Sequence, residues 1–457
     1  MSKKILLLML GMVMAVFFVT GCGGNGNEPA AGGTTGAATG GGAVTTPSTT
    51  EPTTLTFWTF GDSHANYFAH AQNLWNERNP DRQVRLETSV QPFGQMHENL
   101  LVALQSGTGA PDIVDVEVAR AEMFLNTPHV PFLSQNNALA QYMPYLVHSR
   151  LEPWESGGHY FGVCYHVGSV LMFYNKYLFE QANLDWNDIV TWQDFVEMGQ
   201  LMRERTGAYM IQVEGSMVWA FSAMVAQQHT DYVIDGRPNL DSPEAIRAMT
   251  LLQNMIYEYE IARVMVGLNI DSEEFYAEIA TNNFAALIAP AWYMGRYLNL
   301  APNQSGNIAL APLPVFEAGN NRSSSAGGTM TAVTVQVDPA AADLALDFVA
   351  FAKASYDMAV MQWTYLGFDP VRWDVLDSPA VRQPSPPLEF FGEEIFDVLR
   401  DVSAETAGVR FSAENAFVVR DRLNTNILPN VIVERNMDAA TALIEAQQFL
   451  LSYLNME

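Results

Sequence analysis

An α/β architecture in two lobes is what this 457-residue sequence predicts, and three observations predict it. Strand-like and helix-like segments alternate from Leu55 onward. About 400 residues follow Thr54, more than one compact core usually serves. With 49% hydrophobic and 16% charged residues, the chain is globular material rather than disorder.

The elements follow in order. Leu55 to Phe60 reads as a strand, rich in aromatic and β-branched residues. Gly61 to Ser63 reads as a turn in which Asp62 or Ser63 caps the next helix. Ala65 to Asn79 carries Phe68, Ala71, Leu74, Trp75 and Arg78 on a helical period, and Pro80 stops it. Val84, Leu86, Thr88 and Val90 alternate as a strand. Met96, Leu100, Leu101 and Leu104 mark a second helix, and Asp112 to Val118 a third strand. This order is that of a parallel sheet with covering helices. Val163 to Tyr174 reads as a strand, Trp192 to Thr206 as a helix and Ala208 to Val213 as a strand. Helices are expected over Pro243 to Glu260, Ser272 to Asn282 and Ala340 to Ala354. Strands are expected over Phe284 to Ile288 and Thr331 to Val337, and mainly helix after Pro370. No clean linker separates the lobes, so the chain is expected to cross between them more than once.

The amino end has another character. Lys3 and Lys4 precede an almost wholly apolar run, Ile5 to Val19, short of the roughly 20 residues a spanning helix needs. Val19-Thr20-Gly21-Cys22 then resembles a bacterial lipobox. The resemblance implies a signal peptide over 1–21, cleavage before Cys22, and lipid on the Cys22 sulfur and the new amino end. An ordinary secretory signal with a chance cysteine is the alternative. Residues 22–54 are nearly all Gly, Ala, Thr, Pro, Ser and Asn, with Val44 the single large apolar side chain. Such a segment cannot bury enough surface to offset its ordering entropy. It reads as a tether of about 30 residues with a root-mean-square reach of roughly 30 Å.

Asp and Glu number 50 against 23 Lys and Arg, for a net charge of −27. Such a surface repels nucleic acid, and no basic cluster overrides it. If Cys22 is acylated, Cys164 has no partner, so no internal disulfide is expected. His159, Cys164 and His166 lie close in sequence, but metal or Cys–His chemistry needs a further ligand or orienting group and none is near. The 22 methionines are scattered, as core filling would have them. Paired acids such as Glu273-Glu274 suit a glycosidase only at placements a sequence does not reveal. No nucleophile elbow, zinc-helix signature or phosphate loop is present. No catalytic residue, metal or cofactor is therefore expected.

Several stretches, in order, resemble the bacterial extracellular solute-binding proteins of ABC-type sugar importers, the maltose-binding-protein-like family 1. They are Leu55 to Trp58 with Gly61-Asp62; Leu104 to Val114; Tyr174-Asn-Lys-Tyr-Leu-Phe179 with Thr191-Trp192; Ala285 to Trp292; Leu310 to Pro314; and Ser325 to Gly328. Cys164 departs from the family, which often has proline before the position of Tyr165, and Ala291 replaces its usual glycine before Trp292. The resemblance implies a periplasmic-binding-protein-like fold: lobe 1 over 55–166 with 329–366, lobe 2 over 167–328 with 367–457, and a ligand cleft at the hinge. It implies crossings near Val167, Gly328 and 367–370, closure on solute, and docking on ABC permease subunits.

A sugar offers C–H faces to aromatic rings and hydroxyl edges to Asp, Glu, Asn and Arg. The ligand-binding candidates follow from that chemistry and the family positions. Trp292 matches the family's stacking tryptophan. Trp58 ends the first strand and lines the cleft or packs in the core. Asp62 is a hydroxyl acceptor or a helix cap. Glu117 and Arg120 follow the third strand as polar contacts or as an ion pair. Tyr165 and Trp219 complete the aromatics, Trp219 in a helix-like run that also suits a core. Gly327-Gly328 brings backbone N–H groups near a ligand, and Arg372 reaches the cleft or caps a helix. The expected protein is a monomer, lipid-anchored on the extracytoplasmic face and touching the membrane through that anchor only. It captures a mono- or oligosaccharide. A non-sugar solute such as a peptide or polyamine, or a surface glycan hydrolase, is the alternative.

Overall fold

The computed structural model describes residues 51–403, 405–409 and 413–456. The signal peptide, Cys22 and most of the tether lie outside the described residues. The segment expected to end the tether at residue 54 already contributes to a strand, β1, Thr53–Thr59.

The first lobe is a mixed sheet under two helical layers. Helix α1 (Asp62–Arg78) connects β1 to β2 (Val84–Val90), and α2 (Phe93–Ser106) leads to β3 (Ile113–Glu117) and α3 (Val118–Leu125). The chain returns much later as β10 (Thr329–Val333), whose neighbour is β4 (Val163–Cys164). The order is β2-β1-β3-β10-β4. The pairs of β1 with β2 and β3 are parallel, while β10 runs antiparallel to β3 and β4. The sheet is parallel over β2, β1 and β3, as the alternation predicts, and turns antiparallel where β10 enters from the other lobe. Alternation along β1 sets the core. Leu55 and Phe57 pack with Tyr67, Phe68 and Trp75 of α1 and with Phe348 of a helix over Ala342–Ala354. Val114 and Val116 of β3 face the other way, in the cluster holding Met96 and Leu100 of α2. Asp62 and Ser63 do not cap α1: the cap position is Gly61, without a side-chain bond.

The second lobe has the order β7-β6-β8-β5-β9. Its strands are β5 (Val170–Asn175), β6 (Tyr209–Val213), β7 (Ala262–Val264), β8 (Phe284–Pro290) and β9 (Ile308–Ala311). Every residue of β5 is buried, with Met172 and Tyr174 in one cluster and Leu171 and Phe173 in another. A sheet covered on both faces needs such an unbroken apolar run. The helix expected over Trp192–Thr206 forms with those bounds. Thr191 and Asp194 close a capping box, and left-handed Gly207 ends it.

The strand expected over Val163 to Tyr174 is two strands, β4 and β5, in different sheets. The break is the first crossing between lobes. Gly168 has φ 73°, and a Cβ there would stand 2.7 Å from Ala326 O. Three crossings are stitched together at this point. Val167 N donates to Asp369 O at 2.9 Å, and the Asp369 carboxylate accepts from Gly168 N (3.1 Å) and Ser169 N (2.9 Å). Ala326 N donates to Gly168 O at 2.9 Å. Burial pushes the Asp369 carboxyl up to about 6, against the pull of those two N–H groups.

Candidate functional site

Strand β3 of one lobe and β8 of the other each end at a crossing: Val118 N donates to Gly328 O and Ala291 N to Ser169 O, both at 2.7 Å. An interdomain ligand is sought at such strand ends.

On the first-lobe side, Glu117 ends β3 and caps α3, its Oε2 accepting from Ala119 N at 2.7 Å. No ion pair joins it to Arg120 among the described residues. Burial pushes the Glu117 carboxyl up to about 7, against the pull of Arg420 and the Ala119 N–H. Glu117 N donates to His97 Nε2 (3.2 Å), while His97 Nδ1 lies 2.8 Å from Phe93 O. That tautomer is the neutral imidazole, and burial pushes His97 down to about 4. Phe60 and Phe93 meet edge-on at 5.1 Å. The Arg120 guanidinium lies 5.8 Å from the Phe93 ring and 5.6 Å from that of Phe417. Asp62 is exposed at the first turn of α1. Trp58 is half-buried against the cluster that holds Met96 and Leu100.

On the second-lobe side, Trp292 follows β8 on a tight helical turn, half-buried. Its Nε1 donates to Ala326 O at 3.2 Å. Arg296 lies 6.0 Å from its ring and is held by Asp271 at 3.2 Å. Trp219 opens α5 (Trp219–Ala226), half-buried where the lobe's two apolar clusters meet. Glu214 follows β6 and is 4% exposed. Its Oε2 accepts from Ala220 N (3.1 Å), the N–H groups of Ile270 and Trp219 also draw the carboxyl down, and Oε1 makes no hydrogen bond of ordinary geometry among the described residues. Burial pushes this carboxyl up to about 8.

Three of the expected contacts lie deeper. Tyr165 is wholly buried, its hydroxyl 3.1 Å from Asp115 Oδ2 and its ring stacked on His64 at 4.1 Å. Gly328, at φ 137°, gives its carbonyl to Val118 N, and a Cβ there would stand 2.7 Å from Arg150 Nη2. Arg372 is buried and paired with Asp374 at 2.7 Å, and its Nη1 donates to Ala354 O at 2.8 Å. Of its two expected roles, the helix cap is the one formed. Tyr165 and Arg372 are interior because each apolar body fills a core while its polar end finds a buried partner.

Phe60, Phe93, Glu214 and Phe417 were not singled out from sequence. Glu214 carries a signal in retrospect: an acid closing an apolar strand, before glycine and an apolar helix. Beside Arg120, a groove of about 630 Å³ opens between α3 and the segment around Phe417, lined by Glu122, Met123, Asn126, Glu414 and Phe417. That volume suits a small ligand. Aromatic faces, buried acids and guanidinium groups on the two sides are the chemistry of binding an uncharged polar solute. Among the described residues no His, Cys, Asp and Glu group is placed to hold a metal ion, and no helix is long and apolar enough to cross a membrane.

Comparison with known proteins shows the family. The family described as bacterial extracellular solute-binding protein matches residues 61–355. An arabinooligosaccharide-binding protein of Halalkalibacterium halodurans is 39% identical over 398 residues, covering 87% of this chain and 88% of that protein. One of Bacillus subtilis is 34% identical over 397 residues, 86% and 91% of the two chains. The GacH receptor of Streptomyces glaucescens, solved unliganded and with acarbose, superposes with TM-score 0.72 at 16% identity, covering 89% of this chain and 99% of the other. UgpB of Mycobacterium tuberculosis with glycerophosphocholine gives 0.72 at 20% identity over 89% and 99%. The chain belongs to the bacterial extracellular solute-binding proteins, in their two-lobe, parallel-rich α/β fold.

Proposed function

We propose that this protein captures an arabinooligosaccharide between its lobes and delivers it to the permease of an ABC importer. The observation that carries the reading is the 39% identity, across 87% of the chain, to an arabinooligosaccharide-binding protein. The site chemistry supports it. Trp292 offers a half-buried ring for a sugar face, with Trp58, Trp219, Phe93 and Phe417 as further candidates. Glu214 Oε1 waits for a hydroxyl donor. Asp62, Glu117 and Arg120 suit the remaining hydroxyls. The reading involves no covalent chemistry.

In this reading the lobes are 55–166 with 329–366 and 167–328 with 367–457, and they close on the sugar by rotation at the three crossings. Cys22 carries the lipid, the tether holds a monomer on the extracytoplasmic face of the membrane, and permease subunits receive the closed form. The test is a thermal-shift panel of arabinotriose, maltotriose, galactobiose, glycerophosphocholine and a short peptide. A sugar at a hundred times its dissociation constant should stabilise the fold by about 2.7 kcal/mol. Arabinotriose is expected to raise Tm most. A response to glycerophosphocholine or peptide alone would overturn the ligand class. For the anchor, Cys22→Ala should leave the chain unacylated, and mass spectrometry of an unmodified Cys22 in the wild type would contradict it.

A further inference from the structure

Helix α8, Ala416–Arg422, starts without a cap of its own. Asn415 before it is left-handed, φ 64°, and makes no capping bond to the helix. Its side-chain amide donates instead to Gly236 O, at 2.8 Å, in the second lobe. The first N–H groups of a helix have no partner inside it. Here the N–H groups of Asn415 and Phe417 donate to Glu122, at 2.7 Å to Oε1 and 2.8 Å to Oε2. Glu122 stands on α3, directly after the first-lobe strand β3.

The chain beyond α8 is held to the second lobe. Gln253 Nε2 donates to Val431 O at 3.1 Å, and Val433 packs on Gly215. The Glu122 bonds therefore cross from one lobe to the other. Two contacts on the same faces accompany them: Arg420 Nη2 donates to Ala119 O at 2.7 Å, and Arg120 lies between the rings of Phe93 and Phe417.

We propose that Glu122 is a latch between the lobes: the arrangement with the lobes together completes the cap of α8 from the far side, and opening returns those N–H groups to water. Both carboxylate oxygens are occupied by backbone donors, so Glu122 acts on affinity by biasing the lobe equilibrium. It is a positioning residue. A carboxylate at a helix N-terminus makes charge-assisted bonds and meets the positive end of the helix dipole. A solute that binds only the closed form has its apparent affinity scaled by the closed population. The inference rests on the closure reading above and is independent of which solute binds.

The test pairs two measurements on Glu122→Ala and Glu122→Gln in the full chain. Arabinotriose affinity is expected to weaken about tenfold in Glu122→Ala, carried by faster release, and less in Glu122→Gln, which keeps one acceptor. The solute-free Tm should fall only slightly, by the closed population that is lost. Spin labels at exposed Val102 and Val190, one on each lobe, should report longer separations in Glu122→Ala than in wild type. Unchanged affinity with unchanged distances would overturn the latch. So would an affinity loss matched by a fall in solute-free Tm with unchanged distances, because the contact would then be independent of the lobe arrangement. If arabinotriose fails to bind the wild type, the sugar reading falls, and the label distances alone decide the latch.

Discussion

Asp115, in the middle of β3, and Glu214, just after β6, are both buried acids, and they are treated in opposite ways. Asp115, in the first lobe, accepts from Thr59 Oγ1 (2.7 Å), Thr331 Oγ1 (2.6 Å) and the Tyr165 hydroxyl (3.1 Å), with His64 Nδ1 at 3.0 Å. Lys353, also wholly buried, donates to Thr331 Oγ1 at 3.1 Å and lies over the Tyr165 ring. Burial pushes Asp115 up, but the His64, Lys353 and Thr331 contacts outweigh it, and its carboxyl sits below the ordinary range. Glu214 has only backbone N–H groups, those of Ala220, Ile270 and Trp219, to draw it down, and burial outweighs them and pushes it up to about 8. A buried acid with all its partners inside the protein holds the lobe together. One left a partner short is poised for something that arrives.

The largest effect should come from breaking the complete network. Asp115→Ala strands Lys353 without its counter-charge and is expected to cost about 3–5 kcal/mol in urea unfolding. A loss under about 1 kcal/mol would erase the contrast with Glu214. Next is Trp292→Ala, expected to weaken sugar binding by roughly 2 kcal/mol or more as a hot spot. A core tryptophan would instead lose about 3–5 kcal/mol of solute-free stability on truncation. Full sugar affinity in a destabilised variant would take Trp292 out of the cleft.

Glu214 gives a pH test whose sign is fixed. Its folded carboxyl titrates near 8 rather than the ordinary 4.5, so the folded chain keeps a proton that the unfolded chain releases. The Glu214 contribution to stability is therefore present below pH 4.5 and lost as pH rises toward 8. Glu214→Gln should remove that loss, gaining on the order of 2 kcal/mol over wild type between pH 5 and 8. Comparing the two proteins cancels Asp369 and Lys353, which titrate in the same window. Parallel stability curves would show Glu214 to be satisfied after all. The smallest effect is expected at Asp62. With no capping bond to lose, Asp62→Ala should leave stability within about 0.5 kcal/mol, so any change in sugar affinity reports on binding alone.

The fold was legible where the determining residues are neighbours. The aromatic and β-branched run Leu55 to Phe60 announces a strand, and the period of Phe68, Ala71 and Trp75 with Pro80 beyond announces the helix after it. The local pattern read Val163 to Tyr174 as one strand, because the partner at the break, Asp369, lies some 200 residues away; only the family resemblance put a crossing near Val167. A family pattern is local at Trp292, which makes that residue a candidate from sequence alone. The site was hidden where contacts are made in space. Phe93 and Phe417 meet the two sides of Arg120 from distant segments, and Glu122 caps a helix almost 300 residues further along. Tyr165 and Arg372 carry polar ends that suit a cleft as well as an interior, and only packing separates the two.

Calorimetric titration of arabinotriose at pH 7, in two buffers of different ionisation enthalpy, bears most directly on sugar capture by the half-satisfied wall. One saturable site per chain is expected, with net proton release, because a hydroxyl bonded to Glu214 Oε1 favours the ionised carboxylate and draws its pKa back down. Trp292→Ala should weaken the site, and Glu214→Gln should abolish the buffer dependence. A flat titration with arabinotriose, in a protein that binds a solute of another class, would contradict it.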